Sequence, residues 1–211
     1  HPGETMAEWF TERFLSRLLV DEDGVARHVL EHCVFYVVPN MNPDGSVRGH
    51  LRTNAAGVNL NREWAAPTLE KSPEVYYVLN MMAATGVDFY LDVHGDEALP
   101  YNFVAGSEGV PSYNDSIHQL GEQFKQLLMS MTPEFQVTYG YDVDEPGTAN
   151  LTVASNAVGE RFNCLAFTLE MPFKDNANLP DLDFGWSAPR SQQLGMDVLS
   201  ALYGIAKNLH S

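Results

Sequence analysis

The sequence has no long apolar stretch, little cysteine and few basic residues. No apolar run approaches the length of about 18 residues that a membrane-spanning helix requires. Two cysteines in 211 residues do not make a secreted disulfide scaffold. Only 12 Lys and Arg accompany 28 Asp and Glu, and the net charge of -16 argues against nucleic acid or an anionic membrane as partner, because both need a basic face. The composition therefore predicts a soluble globular protein.

The two cysteines and the first residues give little further information about the setting of the chain. Cys33 and Cys164 each border an apolar run, so we expect buried thiols, although a disulfide between them stays open. The chain begins His1-Pro2-Gly3-Glu4, without an initiator methionine or a signal peptide. We therefore expect that its start is a cut within a longer chain.

Two predicted strands end in ionisable side chains. The run that begins at Phe89 ends in Asp92-Val93-His94-Gly95, and the apolar run from Cys164 to Leu169 ends at Glu170. Because buried parallel strands are apolar and ligands bind beyond their carboxyl ends, this pattern predicts a site that contains His94 and Glu170. Taken alone, His94 is more often a structural histidine that caps a strand.

The remaining pattern alternates helices with short strands, which indicates an α/β domain. Apolar residues at helical spacing predict the helices 4–20, 25–31, 72–84, 111–131 and 187–209. Further strands are predicted at 33–38, 101–105 and 135–139. Between them, residues 40–61 are rich in Asn, Pro, Gly and Arg, which predicts a long ordered loop with binding groups.

The first turn adds a second histidine and a carboxylate. His1 and Glu4 lie three residues apart across a turn that Pro2 and Gly3 favour, so both could reach one ion, with His94 as the third ligand. Two imidazoles and one carboxylate with an open position form a common catalytic zinc site, which leaves Glu170 as general base. By itself, His-x-x-Glu is more often chance or a helix cap.

Five motifs occur in an order that resembles the zinc carboxypeptidase family, and they cover nearly the whole chain. The motifs are His1-Pro2-Gly3-Glu4, Asn42-Pro43-Asp44-Gly45, Gly57-Val58-Asn59-Leu60-Asn61-Arg62, Asp92-Val93-His94-Gly95 and Phe167-Thr168-Leu169-Glu170. The spacing from Arg52 to Arg62, the His-Gly after the strand and the Thr-Leu-Glu are most similar to the cytosolic carboxypeptidase branch.

This resemblance implies a fold and a set of ligands. The fold would be α/β, with a mixed, mostly parallel central sheet and helices on both faces, and its N-terminal strands would precede His1. His1, Glu4 and His94 would bind one Zn²⁺ ion. Residues 1–211 would be the catalytic domain, the C-terminal part of a longer cytoplasmic chain.

The resemblance also implies how a substrate is held and cleaved. The substrate would be the C-terminus of a peptide or protein, whose last peptide bond is hydrolysed by a zinc-activated water with Glu170 as general base. Asn61 and Arg62 would bind its terminal carboxylate, for which a guanidinium is suited. Arg52 would polarise the scissile carbonyl. Arg48 competes with Arg52 for this role, although a solvated loop charge suits Arg48 better.

One functional residue of the digestive enzymes, a mobile tyrosine, has no clear counterpart in the sequence. Tyr139 and Tyr141 are the nearest tyrosines before Glu170, but they lie farther from it than the family pattern expects. We therefore predict a packing role for both.

Three other functions stay open at this point. An aspartoacylase-like deacylase shares the His-x-x-Glu and Asn-Arg pattern but cleaves N-acyl amino acids. A degenerate module could bind a carboxyl terminus without cleaving it. Finally, if His1 is a true N-terminus, its amine and imidazole could chelate copper, although such sites occur on all-β scaffolds.

Overall fold

The structure is a computed structural model that describes residues 1–209. Its helices are α1 (Met6–Leu18), α2 (Gly24–His32), α3 (Pro43–Arg48), α4 (Pro73–Thr85), α5 (Asp115–Met131), α6 (Ala154–Phe162) and α7 (Ala188–Ile205). Short 3₁₀ turns span Leu60–Arg62 and Ala206–Asn208. The strands are β1 (Phe89–Asp96), β2 (Phe103–Ala105) and β3 (Leu165–Pro172).

The three strands form one mixed sheet in the order β1-β3-β2. β1 runs parallel to β3 over eight residue pairs, from Phe89 opposite Leu165 to Asp96 opposite Pro172. β2 pairs antiparallel with the carboxyl end of β3, where Phe103 lies opposite Glu170. The predicted α/β class with a mixed sheet is confirmed.

Alternation of side chains along the strands divides the sheet into two faces. Odd-numbered residues such as Phe167 and Leu169 pack in the larger apolar core, which also contains residues of α1, α5 and α7. On the other face, Tyr90 packs against a smaller cluster formed by α4, α6 and the turn that contains Leu60. Helices therefore cover both faces, as predicted. The even-numbered face carries His94 and Glu170, which lie directly opposite each other in the register.

Two predicted strands are not strands in the structure. Residues 33–38 are extended but pair with no strand among the described residues, and Val34 and Tyr36 are exposed by 79% and 63%. Residues 135–139 form only an isolated bridge, between Asn102 and Phe135. There the Gln136 side-chain oxygen accepts the backbone N–H groups of Thr138 and Tyr139 at 2.7 Å, which closes a turn and prevents a continuous ladder.

The predicted loop 40–61 is ordered but contains a helix that its composition hid. The Asn42 side chain caps α3 by accepting the Gly45 N–H at 2.9 Å, and Gly49 ends this helix in the left-handed conformation. At the other end, the Asn59 side chain accepts the Asn61 N–H at 3.0 Å and starts the 3₁₀ turn. Side-chain caps therefore hold this segment in place, and they position Asn59, Asn61 and Arg62 for the site.

Helix boundaries otherwise follow the prediction to within a few residues. One difference is the start of α5, which begins after Asn114 and not at Pro111, because the Asn114 side chain accepts the N–H groups of Ser116 and Ile117. Both cysteines are free thiols; Cys164 is buried and Cys33 half-buried. Within residues 1–209, no helix combines the length and apolar character that crossing a bilayer requires.

Candidate metal centre and active site

The carboxylate of Glu4 bridges two imidazoles. One oxygen lies 2.8 Å from Nδ1 of His1, and the other lies 2.8 Å from Nδ1 of His94. The two rings meet edge to face with centroids 4.9 Å apart. The side chains of His1, Glu4 and His94 are 6%, 3% and 6% exposed, so water scarcely reaches them. The structure thus brings all three predicted metal ligands together.

Close backbone packing holds the first turn against the sheet and the loop. The Glu4 N–H bonds to the His1 carbonyl, and the Gly3 N–H bonds to the Leu51 carbonyl at 3.0 Å. A Cβ atom on Gly3 would lie 2.8 Å from that carbonyl, so only glycine permits this approach. In the sheet, the Gly95 N–H donates to Glu4 at 3.1 Å, which fixes the carboxylate beside β1.

Outer hydrogen bonds turn each imidazole so that Nδ1 faces Glu4. Nε2 of His1 lies 3.1 Å from the side-chain oxygen of Asn59, and Nε2 of His94 lies 3.0 Å from a carboxylate oxygen of Asp92. These oxygens accept hydrogen bonds, so with a metal ion in place of the proton on Nδ1 they would keep the remaining proton on Nε2 and leave the Nδ1 lone pair for the ion. Two Nδ1 lone pairs and a carboxylate then converge on one point, the donor set that zinc prefers.

The electrostatics of this cluster call for a cation. Burial favours the neutral form of Glu4, but the hydrogen bond and charge of His94 hold the pKa of Glu4 below its usual value. Burial likewise lowers the pKa of His94, but Asp92 and Glu4 outweigh it and raise that pKa to about 10. Without a metal ion the cluster therefore holds a proton between acceptors. A divalent ion held by the three side chains would supply positive charge in place of that proton.

Glu170 lies at the end of β3, opposite His94. One of its oxygens accepts a hydrogen bond from the Tyr141 hydroxyl at 3.1 Å, whereas the other, Oε2, is buried and has no partner among the described residues. Burial, together with the charge of Glu4, raises the pKa of Glu170 to about 7 although His94 opposes the shift. A carboxylate with a free buried oxygen and a pKa near neutrality suits proton transfer.

Tyr141, for which the sequence predicted only packing, also lies at the site. Its hydroxyl has one proton, which the carboxylates of Asp96 at 2.5 Å and Glu170 at 3.1 Å share, while its ring packs edge-on against Phe103. The packing role that we predicted for Tyr141 is therefore incomplete. Burial and the nearby Glu170 raise the pKa of Tyr141 well above its usual value, so the hydroxyl keeps its proton and donates. Tyr139, in contrast, stacks on Tyr101.

We predict that Tyr141→Phe lowers kcat/KM by about tenfold, because a hydrogen bond to a charged partner is worth about 1.5–3 kcal/mol and this one is partly exposed. The hydroxyl stabilises the ionised form of Glu170. Its loss should therefore raise the pH at which activity falls on the acid side. A pH profile checks both changes; Tyr139→Phe serves as the control, and equal profiles for the two variants would contradict the role.

Arg52 and Arg48, the two candidates for the role beside the metal, lie in different surroundings. One guanidinium nitrogen of Arg52 lies 3.1 Å and 3.3 Å from the two ring nitrogens of His1, so it lies over the ring and beside the metal centre. Arg48, the alternative, is exposed at the end of α3, and Arg52 rather than Arg48 lines the cavity. The structure therefore favours Arg52 for the role beside the metal.

Asn61 and Arg62 both line the cavity in front of the metal centre. The Asn61 side chain is held by a hydrogen bond to another segment, whereas most of the Arg62 donors are not. The Asn61 side-chain oxygen accepts the Ala154 N–H at 2.8 Å, which ties the loop to the start of α6 and leaves its amide group for a ligand. Arg62 is exposed, and one guanidinium nitrogen bonds to the Asn61 carbonyl at 2.6 Å. Its remaining donors are available for a carboxylate.

All seven predicted site residues line one open cavity of about 600 Å³. Its floor is the polar face of the sheet, where Thr168 bonds to Ser155 of α6 at 3.0 Å. Its rim is acidic, with Glu97 and Asp144 among the lining residues, and Lys125 there is paired with Glu122 at 2.7 Å. A cavity of this size admits the end of a peptide chain.

Comparison with known proteins decides the family. The family model described as zinc carboxypeptidase matches residues 1–194. The chain belongs to the zinc carboxypeptidase family. An uncharacterized protein of Zymomonas mobilis is 55% identical over 202 residues, which cover 96% of this chain and 53% of that protein. Cytosolic carboxypeptidase 3 of Mus musculus is 37% identical over 113 residues, which cover 52% of this chain and 11% of that protein.

Solved structures of zinc carboxypeptidase relatives superpose closely. A metallo-carboxypeptidase from Pseudomonas aeruginosa, solved with (2-guanidinoethylmercapto)succinic acid, matches with a TM-score of 0.96 and 50% identity, over 99% of this chain and 56% of that one. A metallo-carboxypeptidase from Burkholderia cenocepacia matches with a TM-score of 0.92 and 50% identity, over 96% and 55%. The chain thus spans about half the length of these relatives. The predicted family resemblance, including the cytosolic carboxypeptidases, is confirmed.

Proposed function

We propose that this chain carries the zinc centre and proton-transfer machinery of a metallocarboxypeptidase, which releases the last residue of a peptide or protein. The observation that carries the proposal is the position of Glu4 between the Nδ1 atoms of His1 and His94. Glu170, with its unpartnered Oε2, lies opposite His94 at the edge of the same cavity. Family membership favours this reaction over the deacylation of N-acyl amino acids.

His1, Glu4 and His94 would hold one zinc ion. When bound, zinc supplies Lewis acidity, which lowers the pKa of water towards about 7 and polarises a carbonyl. The outer partners Asn59 and Asp92 keep both rings in the ligating tautomer and orientation. Since Asp92 is charged and Asn59 is neutral, the chain makes His94 the more basic of its two imidazole ligands.

Glu170 would handle the protons of the hydrolysis. Its free oxygen accepts a proton from the attacking water, and the same group returns a proton to the amine that leaves. Burial makes both steps accessible, because a pKa of about 7 keeps the ionised and protonated forms within reach at neutral pH. The Tyr141 hydroxyl orients the carboxylate from its other oxygen.

The basic residues would select and orient the substrate. Arg52, beside His1, is placed to stabilise the negative charge that develops on the scissile carbonyl oxygen. Arg62 and the Asn61 amide would bind the terminal carboxylate, so that only the last peptide bond reaches Glu170. The Pseudomonas relative was solved with a succinic acid derivative, a carboxylate ligand of the kind that such a clamp accepts.

We predict that Arg62→Met lowers kcat/KM for peptides with a free carboxyl terminus by about tenfold to hundredfold, mainly through KM. The estimate follows from about 1.5–3 kcal/mol for a charge-assisted hydrogen bond that binds substrate and transition state alike. Arg62→Lys should fall between this variant and the unaltered chain, because it keeps the charge but loses the bidentate fork.

The matched control for Arg62 is Arg48→Lys, an exposed arginine that lies outside the cavity lining. It should leave both kinetic constants unchanged. If Arg62→Met kept its KM for free carboxyl termini, the clamp would be assigned wrongly. A parallel assay with N-acyl amino acids separates the reactions: release of acetate or succinate without any release of a terminal residue would contradict the peptidase.

A further inference from the structure

A second cluster of metal-ligating side chains lies on α2, away from the catalytic cavity. His28, Glu31 and His32 occupy its last turns, and one ligand atom from each lies within 4.8 Å of the others. The two histidines are one helical turn apart, a spacing at which two imidazoles on one face can bind a single metal ion. None of these three residues lines the catalytic cavity.

Both imidazoles are held in place before any ion binds. Nδ1 of His32 lies 2.8 Å from the His28 carbonyl, and since a carbonyl only accepts, Nδ1 carries the proton and Nε2 presents its lone pair. The rings of His28 and His32 lie 4.5 Å apart, and the Tyr203 ring of α7 packs 4.4 Å from His28 on another side. Ordered ligands of this kind bind without a large entropic cost.

Access and charge also suit a cation. The two histidines are half-buried and Glu31 is exposed, so an ion can reach them from solvent. The cluster lies at the C-terminal end of α2, where the helix dipole favours positive charge, and Glu31 adds a negative one. The positive charge of Lys207 opposes a cation here, because it lies near enough to lower the pKa of His28. A divalent ion outweighs it only through direct bonds to all three ligands.

The cluster is independent of the catalytic centre. Glu4 lies just before the first turn of α1, and α2 follows the other end of that helix. None of the three cluster residues lines the catalytic cavity, and the His28 ring packs instead against Tyr203 of α7.

We propose that His28, Glu31 and His32 form a second binding site for a divalent transition-metal ion, such as zinc, that clamps the end of α2 and completes its coordination with water. The ion would link side chains one turn apart and so stabilise the last turn of α2. Residues 33–38, which follow immediately and are largely exposed, would then start from a fixed point.

Calorimetric titration of the untagged chain with Zn²⁺ and with Ni²⁺ tests the site. The unaltered chain should bind one equivalent more than His32→Gln, whatever the catalytic centre holds, and Glu31→Gln should weaken that equivalent without removing it. His118→Gln, an exposed histidine on α5, is the matched control and should keep the full stoichiometry. Zinc in excess of the first equivalent should raise the Tm of the unaltered chain but not of His32→Gln.

Circular dichroism shows before each titration whether the variant is folded. If His32→Gln is unfolded, His28→Gln is used in its place. Equal stoichiometry in the unaltered chain and the two histidine variants would overturn the proposal. The proposal would also be overturned if His118→Gln lost an equivalent of bound metal as the histidine variants do. The kinetic constants of His32→Gln should equal those of the unaltered chain, which separates this site from the catalytic one.

Discussion

Glu170→Gln should abolish most of the peptidase activity while leaving the metal centre filled. General acid–base catalysis contributes about 10²–10⁴-fold to a rate, and Glu170 would act in two proton transfers, so we expect kcat to fall by about 10³-fold or more. The amide has the shape of the carboxylate but cannot accept the proton. Release of the terminal amino acid, followed by mass spectrometry, measures the loss.

Two controls make the Glu170 result specific. Zinc content of Glu170→Gln should stay at the value of the unaltered chain, because Glu170 is not among the three predicted ligands. Glu12→Gln, on the exposed side of α1, should retain full activity. A Glu170→Gln variant that still turns over at more than about a tenth of the normal rate would rule out Glu170 as general base. Binding by the unaltered chain without turnover would favour the non-catalytic module.

Removal of zinc should lower the activity by as much as Glu170→Gln does. Among variants of the metal centre, the loss of zinc affinity should depend on whether a ligand or only its outer partner is changed. Dialysis against a chelator should abolish activity, and zinc should restore it. His94→Gln removes a ligand outright, so we expect the catalytic equivalent to be lost. Asp92→Asn removes only the outer partner of His94, and such partners are worth about 10–100-fold in metal affinity.

A reciprocal change at Asn59 provides a control that gains function. Asn59→Asp would give His1 a charged outer partner like that of His94, so zinc affinity should rise rather than fall. Metal competition with a fluorescent chelator measures all three variants on one scale. If His94→Gln kept the affinity of the unaltered chain, zinc would be bound by other residues.

Sequence patterns could predict the ends of the two central strands and the residues that they deliver. His94 and Glu170 follow apolar runs, and alternation along adjacent parallel strands is enough to place them on one face. The meeting of His1 with His94, in contrast, depends on tertiary packing of Gly3 against Leu51, which no local pattern specifies. The residue types already suggested one ion for His1, Glu4 and His94, and the resemblance to the family made that grouping specific.

Tyr141 shows where local patterns fail, and Arg52 shows where they needed the resemblance to the family. Tyr141 reaches Glu170 because its loop packs on Phe103, a contact between segments that are far apart in sequence. The choice between Arg52 and Arg48 depends on α3, a six-residue helix that Pro43 and Gly45 made resemble a loop. Asp92 was detectable in principle as a partner of His94, since the two residues are two apart on a strand and therefore share a face.

The strand predicted at residues 33–38 failed for a different physical reason. Its apolar, β-branched composition satisfies the local preference for a strand, but a strand also needs a neighbour for its backbone groups. Among the described residues none pairs with it, and side chains such as Val34 remain exposed. Composition therefore predicted the extended conformation but not the pairing.

The most direct test is a crystal structure of the zinc-loaded chain with anomalous data collected on both sides of the zinc absorption edge. We predict an anomalous peak about 2.0–2.2 Å from Nδ1 of His1, Nδ1 of His94 and a carboxylate oxygen of Glu4, with the free oxygen of Glu170 facing the open coordination position. A map in which this position has no peak, or in which either imidazole binds through Nε2, would contradict the proposed metal centre.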